Sequence, residues 1–174
     1  MGAIRYSSAG EINPVLTMEW NQLQDNGVHL YGNFSTSSAA IAMNVQNMET
    51  LLFRNNLLQR NQGGLKIEAD SNGLPTSLKA VIHNNVFTDN AMKETLYLRG
   101  RRPSPYQEVT LYHNYVTRSN VPYRPVILID QVVINFNENY VFNSVGFHIM
   151  EVYGLFGRIQ TPIYQSFHRN SFHK

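Results

Sequence analysis

One repeat constrains this chain more than any other feature. An apolar run, an asparagine, an apolar pair and a second asparagine follow one another in Leu51-Leu52-Phe53-Arg54-Asn55-Asn56-Leu57-Leu58-Gln59-Arg60-Asn61. The pattern returns over 81–90, ending at Asn90, and over 111–120, ending at Asn120. Weaker copies lie at 18–26 and 136–143, and a sixth begins at 167–172. With Asn21, Asn56, Asn85, Asn114, Asn139 and Asn170 as anchors, the separations are 35, 29, 29, 25 and 31 residues. Internal repeats of this length point to a stacked architecture before any single element is assigned.

The phases of the repeat are chemically distinct. Three residues before each anchor stand Met18, Phe53, Ile82, Leu111, Phe136 and Phe167, and two after stand Leu23, Leu58, Phe87, Val116, Val141 and Phe172. All are apolar. Five before, Leu16, Leu51, Ala80, Val109 and Ile134 are apolar and Gln165 is not. The residues between are mixed, which is the period of a strand with one buried face. A second short strand is predicted after each anchor, at Val28-His29-Leu30, Leu65-Lys66-Ile67, Leu96-Tyr97-Leu98, 126–129 and Phe147-His148-Ile149. Ile41, Met43 and Val45 alternate as well and read as an extra strand that lengthens the first spacing. One such unit cannot bury its own apolar face and must stack on its neighbours. The expectation is an all-β, right-handed parallel β-helix of about six coils, forming a single domain over 1–174. Its handedness follows from the preference of parallel strand crossovers.

The anchors have a physical role in such a stack. Asparagine tolerates the left-handed conformation and bonds neighbouring backbone, so each anchor is expected at a bend. In register, the amides of Asn21, Asn56, Asn85, Asn114, Asn139 and Asn170 form a ladder in which each donates to the next. The loops at 33–39, 69–75, 99–105, 121–125 and 152–162 recur at one phase and are expected on one side of the stack. The last repeat lacks a second strand and neither end carries a capping helix, so the chain reads as a fragment that associates through open strand edges.

Composition excludes several function classes. A net charge of +2 with 15% charged residues does not mark a nucleic-acid or membrane-surface binder. The absence of cysteine removes disulfides, thiolate metal sites and a cysteine nucleophile. No apolar run reaches membrane-spanning length, and Met1-Gly2-Ala3-Ile4-Arg5 does not open a signal peptide.

Catalytic and metal chemistry find little support. Asp25 and Asp89 share a phase, but Arg60 holds that phase in the coil between them. Asp70 and Asp130 each follow a second strand, two coils apart, about 10 Å at ~4.8 Å per coil, too wide for a shared calcium. Glu68, Glu94, Glu108 and Glu151 fall at unlike phases. Gly157-Arg158-Ile159-Gln160 resembles an arginine motif of polygalacturonases, without its aspartate partners. His83 and His113 are one phase step apart and point to different sides, so no metal site and no cofactor are expected. Tyr115 and Tyr140 share a phase and are expected to stack along the axis. Arg99, Arg101 and Arg102 form one basic turn, a possible binding surface for an acidic partner or glycan. Asn33-Phe34-Ser35 is a glycosylation sequon, with Asn33 as the acceptor.

The repeat resembles those of the pectate-lyase-like superfamily. More narrowly, Gly2-Ala3-Ile4-Arg5-Tyr6 followed by Asn13-Pro14-Val15-Leu16-Thr17-Met18-Glu19-Trp20-Asn21 is similar to the β-helix segments of a family of large insect junction proteins. The resemblance implies a single-pass membrane protein whose extracellular part organises junctions where three epithelial cells meet. It implies adhesion, protein partners or self-association, and no catalytic residue. Scavenger-receptor, CUB and lectin-like modules of that family are not present in this sequence. The expected function is a structural, non-enzymatic segment of a cell-surface ectodomain. The alternative is a carbohydrate-active enzyme or glycan-binding module on the same fold.

Overall fold

The computed structural model describes residues 3–7, 15–26, 39–45, 50–69, 78–100, 107–153 and 165–173. Alternation of buried and exposed side chains within short β-prone runs makes each a strand, and each coil takes three of them in turn. The first coil holds β1 (Ile4–Ser7), β2 (Val15–Glu19) and β3 (Gln22–Gln24). The second holds β4 (Ile41–Val45), β5 (Thr50–Arg54) and β6 (Leu57–Gln59), and the third β7 (Leu65–Ala69), β8 (Leu78–His83) and β9 (Val86–Thr88). The fourth holds β10 (Leu96–Arg99), β11 (Gln107–Tyr112), β12 (Tyr115–Thr117) and a short addition, β13 (Asn120–Val121). The fifth holds β14 (Ile127–Asp130), β15 (Val133–Asn137), β16 (Tyr140–Phe142) and β17 (Val145–Gly146), and the sixth β18 (Met150–Tyr153), β19 (Gln165–His168) and β20 (Ser171–His173).

Strands one coil apart pair in parallel and build three six-stranded sheets. The first runs β1-β4-β7-β10-β14-β18, the second β2-β5-β8-β11-β15-β19 and the third β3-β6-β9-β12-β16-β20, while β13 and β17 pair by themselves. The fold is a right-handed parallel β-helix of six coils, with no helix among the described residues.

Register places like residues over one another. In the second sheet Phe53, Ile82, Leu111 and Phe136 are successive partners, and none is more than 1% exposed. In the first sheet Ile41, Leu65, Leu96 and Ile127 form the matching column and are buried. Leu58, Phe87, Val116 and Val141 close the core from the third sheet. Full burial of each such side chain stabilises by roughly 1.5–3 kcal/mol. At the last coil the columns emerge, with Phe167 40% and Phe172 46% exposed.

Two sequence assignments change. The strand expected at Phe147-His148-Ile149 is β18, which pairs Met150 with Ile127 and Val152 with Ile129. Phe147 instead bonds its N–H to the Arg124 carbonyl and lies on the surface. The segment at Ile41, Met43 and Val45 is not an extra strand. As β4 it is the second coil's own member of the first sheet, between β1 and β7. Val28-His29-Leu30, assigned to that role, lies outside the described residues, as do the 33–38 and 70–75 parts of the loops.

Candidate interaction surfaces

The bends between sheets are held by two ladders of polar side chains. At the first, Asn21 Nδ2 donates to Asn56 Oδ1 at 2.9 Å, Asn56 to Asn85 at 3.1 Å, Asn85 to Asn114 at 2.9 Å, Asn114 to Asn139 at 2.9 Å and Asn139 to Asn170 at 3.3 Å. Each acceptor oxygen also takes the backbone N–H of the preceding anchor. The second amide hydrogen reaches back to a carbonyl of the preceding coil, as from Asn85 to Phe53 at 3.0 Å. The interior anchors are buried and saturated, which is what a polar group inside a core requires.

The conformational reason given for the anchors is corrected by the backbone. The anchors are not left-handed. The residue before each one is: Trp20, Asn55, Asn84, His113, Glu138 and Arg169 have φ between 51 and 59°. That residue turns the chain outward and leaves the anchor free to point in. Asparagine is chosen at the anchor for its hydrogen bonds, not for its backbone tolerance.

A second ladder lies five residues on. Asn26 Nδ2 donates to Asn61 Oδ1 at 2.9 Å, and Asn61 N–H to Asn90 Oδ1 at 3.0 Å. The column then continues through serine: Ser119 N–H donates to Ser144 Oγ at 3.2 Å. Asn120, the sequence's candidate for this place, is exposed and begins β13. A serine oxygen accepts the same backbone N–H as an amide oxygen, so the two types exchange here. The residue before this ladder is again left-handed, at Asp25, Arg60, Asp89, Arg118 and Asn143. The first four alternate in charge. Arg60 grips Asp25 through Nε and Nη2, both at 2.8 Å, and Arg118 grips Asp89 at 2.6 and 2.8 Å. Arg118 beside Asp89 holds its carboxyl down at about 2.

The outward face of the first sheet carries a cleft of about 180 Å³. Its lining includes Lys66, Glu68, Tyr97 and Arg99 from β7 and β10, with Glu94 and Arg124 from the turns beside them. Lys66 Nζ lies 3.0 Å from Glu68 and 5.1 Å from the centre of the Tyr97 ring. Arg124 Nη1 meets the nearly buried Glu94 at 3.0 Å. Burial, reinforced by Arg124, pulls the ammonium of Lys93 below its ordinary value, and burial with Glu68 raises the Tyr97 phenol. Cations outnumber carboxylates in this cleft, and a half-buried ring lies on its floor. Glu94 and Arg124 share no repeat phase, so nothing in the sequence brought them together.

The remaining candidates scatter. Arg99 sits at the rim and meets Asp130 at 3.2 Å, in the column Glu68, Arg99, Asp130. Arg101, Arg102, Asn33, Asp70 and Arg158 lie outside the described residues. His83 stacks on Tyr112 with centroids 4.6 Å apart, while His113 Nε2 meets Glu138 at 2.5 Å. Among the described residues no group of three or more His, Cys, Asp or Glu side chains could hold a metal ion. Tyr115 and Tyr140 stack at 5.0 Å with planes 9° apart on the exposed face of the third sheet.

No protein-family profile matches this chain, and no solved structure matches it. A comparison with curated proteins finds 49% identity over 173 residues, 99% of this chain, with one stretch of an insect protein. This chain is similar to a segment of Protein bark beetle from Drosophila melanogaster. It spans about 6% of the length of Protein bark beetle. The likeness therefore covers nearly all of this chain and one short stretch of that protein.

Proposed function

We propose that this chain is a structural, interaction-presenting β-helix segment of an extracellular cell-surface protein that organises cell–cell junctions, those where three epithelial cells meet. The observation that carries this reading is the 49% identity to Protein bark beetle over 99% of the chain, taken with the resemblance of its repeat to insect junction proteins. A stiff stack with charged and aromatic columns on its outside supports a role in presenting surface to protein partners. On this reading the chain is not an enzyme. Each described carboxylate except Glu108 lies against a cation or a histidine. Arg118 holds Asp89 at about 2, and His113 with Arg169 lowers Glu138. A general acid or base needs a value near the working pH instead.

An antibody raised against this segment, applied to epithelium expressing the whole protein, is expected to stain three-cell vertices. A whole protein lacking the segment should lose that position. Even staining along two-cell borders, or vertex staining unchanged by the deletion, would overturn the reading. The cleft at Lys66, Tyr97 and Arg124 favours one second reading, a glycan-binding module. Turnover of pectin or alginate that is abolished by Asp130→Asn would replace both with an enzyme.

A further inference from the structure

The cleft on the outward face of the first sheet gathers more positive charge than the carboxylates around it balance. Strand alternation turns Leu65, Ile67, Leu96 and Leu98 into the core. It leaves Lys66 beside Tyr97 and Glu68 beside Arg99 on the outside, in register. The turns after the third sheet add Lys93, Glu94 and Arg124. These residues belong to the third, fourth and fifth coils, with a described coil on either side. Four cations, Lys66, Lys93, Arg99 and Arg124, therefore line the cleft against Glu68 and Glu94. Asp130 meets Arg99 from beyond the lining at 3.2 Å, which brings the count to four against three. Burial lowers the Lys93 ammonium, and repulsion by Arg124 adds to it more than the attraction of Glu94 takes away.

The cleft is held ready for an anion. The Arg124 backbone is fixed, its N–H donating to the Val121 carbonyl at 3.2 Å and its carbonyl accepting from Phe147 N–H at 3.0 Å. Its side chain is tethered by Nη1 to the nearly buried Glu94 at 3.0 Å, yet 48% of that side chain stays exposed. A guanidinium carries five N–H donors, so a fork held at one corner still has donors for an incoming carboxylate. The aromatic residue decides which kind of anion fits. Lys66 Nζ stands over one face of the Tyr97 ring at 5.1 Å from its centre, and Leu128 is its register neighbour on the other side. A sugar held by stacking needs an open ring face, and Tyr97 offers its edge and its phenol instead. A cleft of about 180 Å³ takes a pair of acidic side chains, not a run of sugar rings.

We propose that this cleft binds an acidic peptide segment of a protein partner, taking its carboxylates between Lys66, Lys93 and Arg124. The inference rests on the reading of the chain as a surface for protein partners and names the chemistry of one such partner. Binding is measured on the chain itself, whereas the vertex staining above concerns the whole protein, so either can fail while the other stands.

The test is fluorescence anisotropy of a labelled oligoglutamate peptide titrated with the 174-residue chain. An oligoglutamine peptide of equal length and an oligogalacturonate compete in parallel. The oligoglutamate is expected to bind, more weakly as salt rises, and neither competitor should displace it at equal concentration. Lys93→Gln and Arg124→Gln should each weaken binding about ten-fold or more. Arg124→Gln strands the carboxylate of Glu94, so Lys93→Gln carries the test if that variant misfolds, with far-UV circular dichroism and melting temperature reporting the fold. Arg60→Gln removes a cation from the second ladder's corner and should leave binding unchanged. No binding of oligoglutamate, equal binding of oligoglutamine, or an affinity untouched by Lys93→Gln would each overturn the proposal. So would an equal loss in Arg60→Gln, which marks attraction to net charge alone. Tighter binding of oligogalacturonate would give the cleft to a glycan and overturn it as well.

Discussion

An asparagine side chain carries a donor and an acceptor on one plane, and the first ladder uses both ends of that plane in every coil. Asn85 accepts from Asn56 N–H and Nδ2 and donates to Asn114 and to the Phe53 carbonyl. Asn85→Ala strips those partners while they remain buried, at about 1–3 kcal/mol for each polar group left unsatisfied. Asn84→Ala, on the exposed and left-handed neighbour, loses backbone tolerance and a surface hydrogen bond to His83. Thermal melts should therefore fall much further for Asn85→Ala, and equal shifts would count against the ladder. Asn85→Asp adds a sharper check. It keeps the acceptors and removes the donor, so it should melt nearly as low as the alanine variant at neutral pH. Charge pairing makes a separate prediction. The carboxyl of Asp89 sits at about 2 against an ordinary 3.8. A lowered folded value means that its contribution is fully present above about pH 4 and is lost as pH falls toward 2. Asp89→Asn should flatten that part of a stability-against-pH curve, and an unchanged curve would dismiss the Arg118 pairing as a source of stability.

At the scale of the strand, the coils touch closely where glycine sits. A Cβ on Gly64 would lie 2.2 Å from the Thr95 carbonyl oxygen, a backbone atom of the next coil. Gly64→Ala must push β7 away from β10. Its unfolding free energy from denaturant titration is expected to drop by an amount typical of overpacked cores, roughly 1–3 kcal/mol, and a neutral result would show that the coils can separate freely. The strands of the second sheet and the anchors were legible in the sequence because alternation and the recurring asparagine are both properties of single positions. What escaped was relational. Ser119 replaces Asn120 in the second ladder because a hydroxyl oxygen meets the same N–H. Phe147 and Ile149 imitate strand alternation, yet pairing with β14 starts at Met150. The cleft joins Glu94 and Arg124 from turns of unequal length, and no periodic pattern encodes turns.

In the whole molecule every coil rests only on the coil before and the coil after. Stability in such a stack is a sum of neighbour terms, so in the 174-residue chain taken alone the outer coils open before the middle ones. Hydrogen exchange should be slowest in β8 and β11, which are flanked on both sides, and fastest in β2 and β19. Uniform protection across the second sheet would mean that the stack unfolds as one unit. The left-handed corner residues have a different consequence. Trp20, Asn55, Asn84, His113, Glu138 and Arg169 share one backbone conformation and almost no chemistry. The corner requires a torsion angle, and the residue beneath it supplies the hydrogen bonds. What the corner displays is thereby separated from what holds it up. Six side chains stand in file at about 4.8 Å intervals, each replaceable without disturbing the scaffold, so selection can rewrite the message along this edge while the support underneath stays fixed.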